Sequence, residues 1–325
     1  MGQNQSDSKG IVEKTFSDLK SMKVQGASNV SKAIVETLQK VAETSQAKNE
    51  NEFREDFEKN ALYLLSARPT EPNARAAALM ILNVARKDFG SAADIKTAIV
   101  RVCEEFEKKQ IEAVKKVGEY GANLIPEKAV ILTHCHSETV EGILFNAQKK
   151  ISKIYCTETR PKLQGRITAQ HLAEKGFDVT MIVDSAAASF LKQCDLFISG
   201  ADAILADGSV VNKIGTSMIS CYAKRADVPH YVATTSYKFD PTTYFGIPEE
   251  IEERPSEEVW DSPPKNLKIR NPAFDITDGN MIKEIITEKG VFSPRMFAVE
   301  MYRELELEKR KDEYLEFLKK LNAFK

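Results

Sequence analysis

The chain has 325 residues, enough for two packed domains at about 100–200 residues each. Its 42% hydrophobic and 29% charged residues suit an ordinary globular protein, and a net charge of −2 offers no basic stripe for nucleic acid. No apolar run approaches the roughly 18 residues of a membrane helix. The opening Met1-Gly2-Gln3-Asn4-Gln5-Ser6 lacks the apolar core of a secretory signal, though it fits the short N-myristoylation pattern. A cytoplasmic protein with neither nucleic acid nor membrane as partner is expected.

The first 120 or so residues read as helices only. Residues 28–43 place Val30, Ile34, Val35, Leu38 and Val41 at helical spacing, and residues 53–65 and 74–84 repeat the pattern with Pro69 and Pro72 between them. Residues 92–117 predict one long amphipathic helix, ended by Gly118 and Gly121. From Lys128 the period changes. Short apolar runs at 129–132, 154–156, 179–183, 196–198 and 231–233 are mostly separated by helical segments. Strands alternating with helices predict an α/β fold, a Rossmann-like domain with a mostly parallel sheet, after an all-helical domain. The boundary is set near residue 125, giving domains 1–125 and 126–325. Residues 247–272, rich in Pro, Glu and Ser and carrying Trp260, read as a functional or interface loop, with residues 249–254 equally readable as a solvated face.

Ligands of such sheets sit beyond the carboxyl ends of the strands. Thr133-His134-Cys135-His136-Ser137 lies there, between the first strand and a helix starting near Glu138. A thiol in that position meets helix-terminal amides that favour thiolate, or else is a half-buried cysteine flanked by histidines. The five cysteines form no CxxC pair, so no disulfide framework or zinc ribbon is indicated. The side chains of His134, Cys135 and His136 diverge, and no second cluster completes a metal shell, so no metal is expected. Ser199-Gly200-Ala201-Asp202 ends another strand. Asp202 reads as a turn or cap residue, or as an acid facing Cys135 across one crevice. Asn212-Lys213-Ile214-Gly215-Thr216-Ser217 runs into a helix whose first amides suit a phosphate. Lys238, Arg68 and the Gln25-Gly26-Ala27 turn add further anion contacts. Together they suit a small substrate with two phosphates.

With these residues in view the chain resembles the superfamily that joins methylthioribose-1-phosphate isomerase, archaeal ribose 1,5-bisphosphate isomerase and the regulatory alpha, beta and delta subunits of translation initiation factor two-B. The matching stretches are residues 131–137, Thr157-Glu158-Thr159-Arg160-Pro161 with Gln164-Gly165, Val183-Asp184-Ser185-Ala186-Ala187, Gly200-Ala201-Asp202, and Asp207-Gly208 through Asn212-Lys213-Ile214-Gly215-Thr216. The resemblance covers nearly the whole chain, and these motifs, which lie between residues 131 and 216, are together highly specific. The isomerases carry the cysteine and aspartate that the initiation-factor subunits generally lack, and the run around Cys135 with Lys238 looks most like ribose 1,5-bisphosphate isomerase.

The resemblance implies catalysis by Cys135 and Asp202. It implies substrate contacts from Gln25, Gly26, Ala27, Ser28, Arg68, Ser137, Glu138, Thr139, Arg160, Gln164, Asn212, Lys213 and Lys238. It further implies a sugar bisphosphate substrate without any cofactor, AMP as activator in the degradation of nucleoside monophosphates, and dimers assembled into hexamers. The other readings are methylthioribose-1-phosphate isomerase and a regulatory subunit binding archaeal initiation factor two. One departure stands out: Gln25-Gly26-Ala27 replaces the Arg-Gly-Ala typical of these isomerases, and a neutral amide lacks the bidentate charge of arginine. The chemistry calls for Asp202 as an acid with a raised pKa and Cys135 as a base with a lowered one.

Overall fold

The structure, a computed structural model, describes residues 3–324, so Met1 and Gly2 of the acylation pattern lie outside it. The chain divides into two compact units. One runs up to Ile111 and takes in the residues from Glu308 onward; the other is Glu112–Leu307. The expected boundary near residue 125 falls at the end of the helix in which this division lies.

The first unit is helical: α1 (Gln3–Lys20), α2 (Ala27–Thr44), α3 (Glu50–Ser66), α4 (Pro72–Ala85) and the first part of α5 (Ala92–Leu124). Its centre is α2, where Val30, Ile34, Val35 and Leu38 are fully buried, each stabilising by about 1.5–3 kcal/mol. Asn49 caps α3 by accepting from the Glu52 amide at 3.0 Å. Pro72 opens α4 at the first turn, where its missing N–H costs nothing.

Helix α5 does not stop at Gly118 and Gly121 but continues to Leu124. The reason lies in the second unit, where α5 packs on α6 (Glu138–Asn146). A Cβ on Gly121 would stand 2.2 Å from Ile143 Cδ1, and one on Gly118 3.2 Å from the Gly142 backbone. The glycines mark close helix contact rather than a helix end.

From β1 (Ala129–His134) the chain alternates through α6, β2 (Ile151–Thr157), α7 (Gly165–Glu174), β3 (Val179–Ile182), α8 (Ala187–Leu191) and β4 (Leu196–Ser199). A hairpin of β5 (Ala203–Ile204) and β6 (Val210–Lys213) follows, then α9 (Thr216–Arg225) and β7 (His230–Ala233). The long loop leads to β8 (Phe274–Thr277), β9 (Glu284–Thr287), β10 (Gly290–Phe292) and α10 (Pro294–Glu304). The main sheet has the order β10-β9-β7-β4-β1-β2-β3, parallel except for β10 at the edge. Alternation along the strands sends Ile131 and Ile198 to a face shared with α6 and α7, and Leu132 and Phe197 to a face shared with α8 and α9. Order reverses between β1 and β4, a topological switch point. A second, antiparallel sheet, β5-β6-β8, was not expected from the sequence.

The chain closes in the helical unit with α11 (Lys311–Asn322), which buries Tyr314, Phe317 and Leu321 and pairs Lys320 with Glu58 of α3 at 3.0 Å. Among the described residues no helix is long and apolar enough to cross a membrane.

Candidate active site at the carboxyl ends of the strands

Because β1, β2, β3, β4 and β7 are parallel, the residues that follow each of them gather along one edge of the sheet. After β1 the chain turns at Cys135, whose φ of 69° is left-handed and costs a side-chain-bearing residue about 1–2 kcal/mol. The turn is held from the loop after β2: the Cys135 amide donates to Thr159 Oγ1 at 2.9 Å, and its carbonyl accepts from Thr168 Oγ1 at 3.1 Å. That loop is gripped in turn by Asp184, after β3, whose carboxylate accepts from the Thr159 and Arg160 amides, both at 2.7 Å. Gly165 lets α7 start against this loop, since a Cβ there would lie 1.8 Å from the Thr157 carbonyl oxygen.

His134 is buried and burial lowers its pKa, so it is neutral. Its Nε2 faces the Ile214 carbonyl at 2.9 Å and must donate, which leaves Nδ1 to accept from the Thr157 hydroxyl at 2.6 Å. His136 turns toward α6 and α7, where Thr168 Oγ1 lies 3.0 Å from its Nδ1.

Beyond β4, Gly200 permits close approach to the start of α6: a Cβ there would meet Ser137 Oγ at 2.7 Å. Ser137 caps α6, and its hydroxyl lies 2.9 Å from that of Thr139, which donates to the Ala233 carbonyl at 2.7 Å. Asp202 opens the β5–β6 hairpin by donating its amide to the Val211 carbonyl at 2.8 Å. Its half-buried carboxylate acts on the ionisation of Cys135, as does Lys213 at the end of β6. Lys238 donates from Nζ to the Ala201 carbonyl at 2.6 Å. The structure therefore brings Cys135, Asp202, Lys213 and Asp184 into one electrostatic neighbourhood, with Lys238 beside the Asp202 turn.

Two expectations need correction. The Cys135 thiol is not lowered toward thiolate: burial pushes it up to about 11, against the opposing effects of Lys213 and the His136 amide. The cysteine precedes the Ser137 cap, so its sulfur gains one amide rather than a whole helix terminus. Second, two of the amides at the start of α9 are already taken. Gly215 and Ser217 donate to the Asp275 carboxylate at 2.7 and 3.0 Å, and burial raises Asp275 to about 6. Asn212 Nδ2 donates to Thr216 Oγ1 at 2.9 Å, and the Lys213 ammonium lies 4.9 Å from the centre of the Phe274 ring.

Of the remaining candidates, Arg160 is exposed and donates to the Val259 carbonyl in the long loop at 3.0 Å, while Gln164 Oε1 is buried without a hydrogen-bond partner. Glu138 is exposed on the first turn of α6. Gln25, Gly26, Ala27, Ser28 and Arg68 belong to the helical unit. There Gly26 (φ 84°) starts α2, and Arg68 is buried with Glu71 at 2.6 Å. Asp184 followed from the strand-end rule although only its motif was noted. Asp275 carried no local signal, because it reaches α9 through the pairing of β8 with β6.

A sequence model of the initiation factor 2 subunit family matches residues 23–294. A ribose 1,5-bisphosphate isomerase of Methanocaldococcus jannaschii is 39% identical over 301 residues, covering 90% of this chain and 95% of that protein. Among solved structures, a translation initiation factor eIF-2B of Pyrococcus horikoshii superposes with a TM-score of 0.74 at 29% identity, over 87% of this chain and 97% of that one. A 5-methylthioribose 1-phosphate isomerase of the same organism also gives 0.74, at 31% identity over 90% and 87% of the two chains.

Proposed function

The chain belongs to the initiation factor 2 subunit family, and from that premise we propose that it is an isomerase converting ribose 1,5-bisphosphate to ribulose 1,5-bisphosphate. The observation that carries this reading is the nearness of Asp202 and Lys213 to Cys135 beyond the strand ends. An acid and a base on one crevice can move protons between neighbouring carbons. Asp202 gives a proton to the ring oxygen as its bond to carbon 1 breaks, and Cys135 takes the proton from carbon 2. The enol so formed becomes the ketone at carbon 2 when Cys135 returns its proton to carbon 1 and the carbon-2 hydroxyl passes its proton to Asp202, which restores both groups. No external oxidant or reductant is consumed. The ligand-free thiol, at about 11, has to lose its proton in the complex, and the charge of Lys213 favours that loss.

Lys213 and Lys238 supply the positive charge for two phosphates, and Arg160, Gln164, Asn212, Ser137, Glu138 and Thr139 are the further substrate contacts of the same unit. On the same reading the protein is cytoplasmic, assembles as dimers and hexamers, is activated by AMP, and serves the degradation of nucleoside monophosphates. A methylthioribose-1-phosphate isomerase is expected to line the same place with apolar groups rather than Lys238. A purely regulatory subunit needs no Cys135–Asp202 pair.

Assay of the purified protein with both sugar phosphates tests the proposal. Turnover of the bisphosphate is expected, with Asp202→Asn at least about a hundredfold slower and KM little changed, since its proton is used only in the transition state. A protein inert toward both sugars, but retained by initiation factor two, overturns it.

A further inference from the structure

We propose that His136, Glu141 and His171 form a binding site for one divalent transition-metal ion, zinc being the first choice, with water completing its shell. The three come from separate elements. His136 lies on the turn after β1, Glu141 on α6 and His171 on α7, and their ligand atoms all fall within 4.8 Å of one another. Glu141 Oε1 stands 3.3 Å from His136 Nδ1 and 3.0 Å from His171 Nδ1. Ligands at about 2.0–2.1 Å from a tetrahedral ion are separated by about 3.3 Å, so small side-chain shifts suffice to seat it.

The carboxylate is the buried member and the imidazoles lie outward, with side-chain exposures of 9% for Glu141, 27% for His136 and 45% for His171. An ion can therefore enter from solvent and leave one position to water. The other two of the chain's four histidines are unsuited. His134 and His230 are buried, and both ring nitrogens of each are engaged, His230 by Ser199 and Ser220 at 2.9 Å. The two imidazoles that remain converge on one carboxylate. Two nitrogens and an oxygen favour zinc, nickel or copper over magnesium or calcium, which prefer oxygen alone. Coordination through Nδ1 moves each imidazole proton to Nε2. Thr168 then loses its contact with His136 but keeps its bond to the Cys135 carbonyl. The ion so placed ties the Cys135 turn to α6 and α7 and takes no part in the proton transfers, so the site does not depend on the isomerase reading.

Full-length protein freed of metal by chelation is titrated with zinc by calorimetry and with cobalt(II) by visible absorption, alongside His171→Ala and Glu141→Gln. The wild type is expected to take up one ion per chain with the absorption of four-coordinate cobalt and no sulfur-to-metal band. Each variant is expected to bind at least about a hundredfold more weakly. Zinc is expected to raise the melting temperature of the wild type but not of His171→Ala. Uptake below about a tenth of an equivalent, or equal binding by wild type and both variants, refutes the site. A thiolate band refutes it as well, by placing the ion on a cysteine such as the exposed Cys221.

Discussion

The ionisation of Cys135 offers the sharpest test of the site's electrostatics. Burial raises the thiol from 9.0 to about 11, and two units correspond to about 2.7 kcal/mol against the thiolate. At pH 8 only about one molecule in a thousand would carry it, against about one in ten at the ordinary value. Alkylation of Cys135 by iodoacetamide at that pH, followed by peptide mass analysis, can be compared with the same cysteine in the chain unfolded by urea. The hundredfold loss of thiolate is partly offset by the greater nucleophilicity of a more basic sulfur, by up to about tenfold. The folded protein should thus react at least about tenfold more slowly. Lys213→Met should slow it further, because the lysine opposes the rise. A Cys135 that reacts in the folded protein as fast as in urea, or faster, refutes the reasoning and restores the thiolate expected from the sequence.

Lys213→Ala should raise the KM for a sugar bisphosphate by the loss of about 1.5–3 kcal/mol of charge-assisted binding, while Lys319→Ala, on an exposed face of α11, should leave it unchanged; steady-state kinetics of the two variants decide this. Gly165→Ala should lower unfolding free energy in urea by at least about 2 kcal/mol, because the new Cβ meets backbone that no rotamer change can move. Gly176→Ala, with open space around a φ of +83°, should cost only about 1–2 kcal/mol. Asp275 has its folded pKa raised from 3.8 to about 6, so between those values the folded state holds the extra proton. Its contribution to stability is complete at low pH and falls by up to about 3 kcal/mol as pH rises from 4 to 6. Urea melts of wild type and Asp275→Asn across that range should converge at the acid end and diverge above it.

The sequence was most legible where pattern and function share a rule. The apolar runs of β1, β2, β3, β4 and β7 were plain, and residues just past such strands are natural ligand contacts, which singled out Cys135, Asp202 and Lys238. The hairpin β5–β6 was hidden because its strands are short, and strand β8 because it finds β6 across the long loop. With them went the role of Asp275 in occupying the start of α9. Gly118 and Gly121 misled because a glycine that ends a helix and one that admits a neighbouring helix look alike until the neighbour is placed. The thiol's pKa differs from expectation for a related reason: nearness to a helix start is a local property, whereas the burial that outweighs it depends on how distant segments pack.

Arg160 reaches across to the Val259 carbonyl, and the residue after Val259 is Trp260, the chain's only tryptophan, half exposed on the long loop. The guanidinium thus serves the loop backbone beside the indole. Whatever draws Arg160 away from Val259 alters the surroundings of a single indole. The emission of Trp260 is therefore the readout expected to change when a sugar bisphosphate is added, on the proposal that Arg160 contacts it.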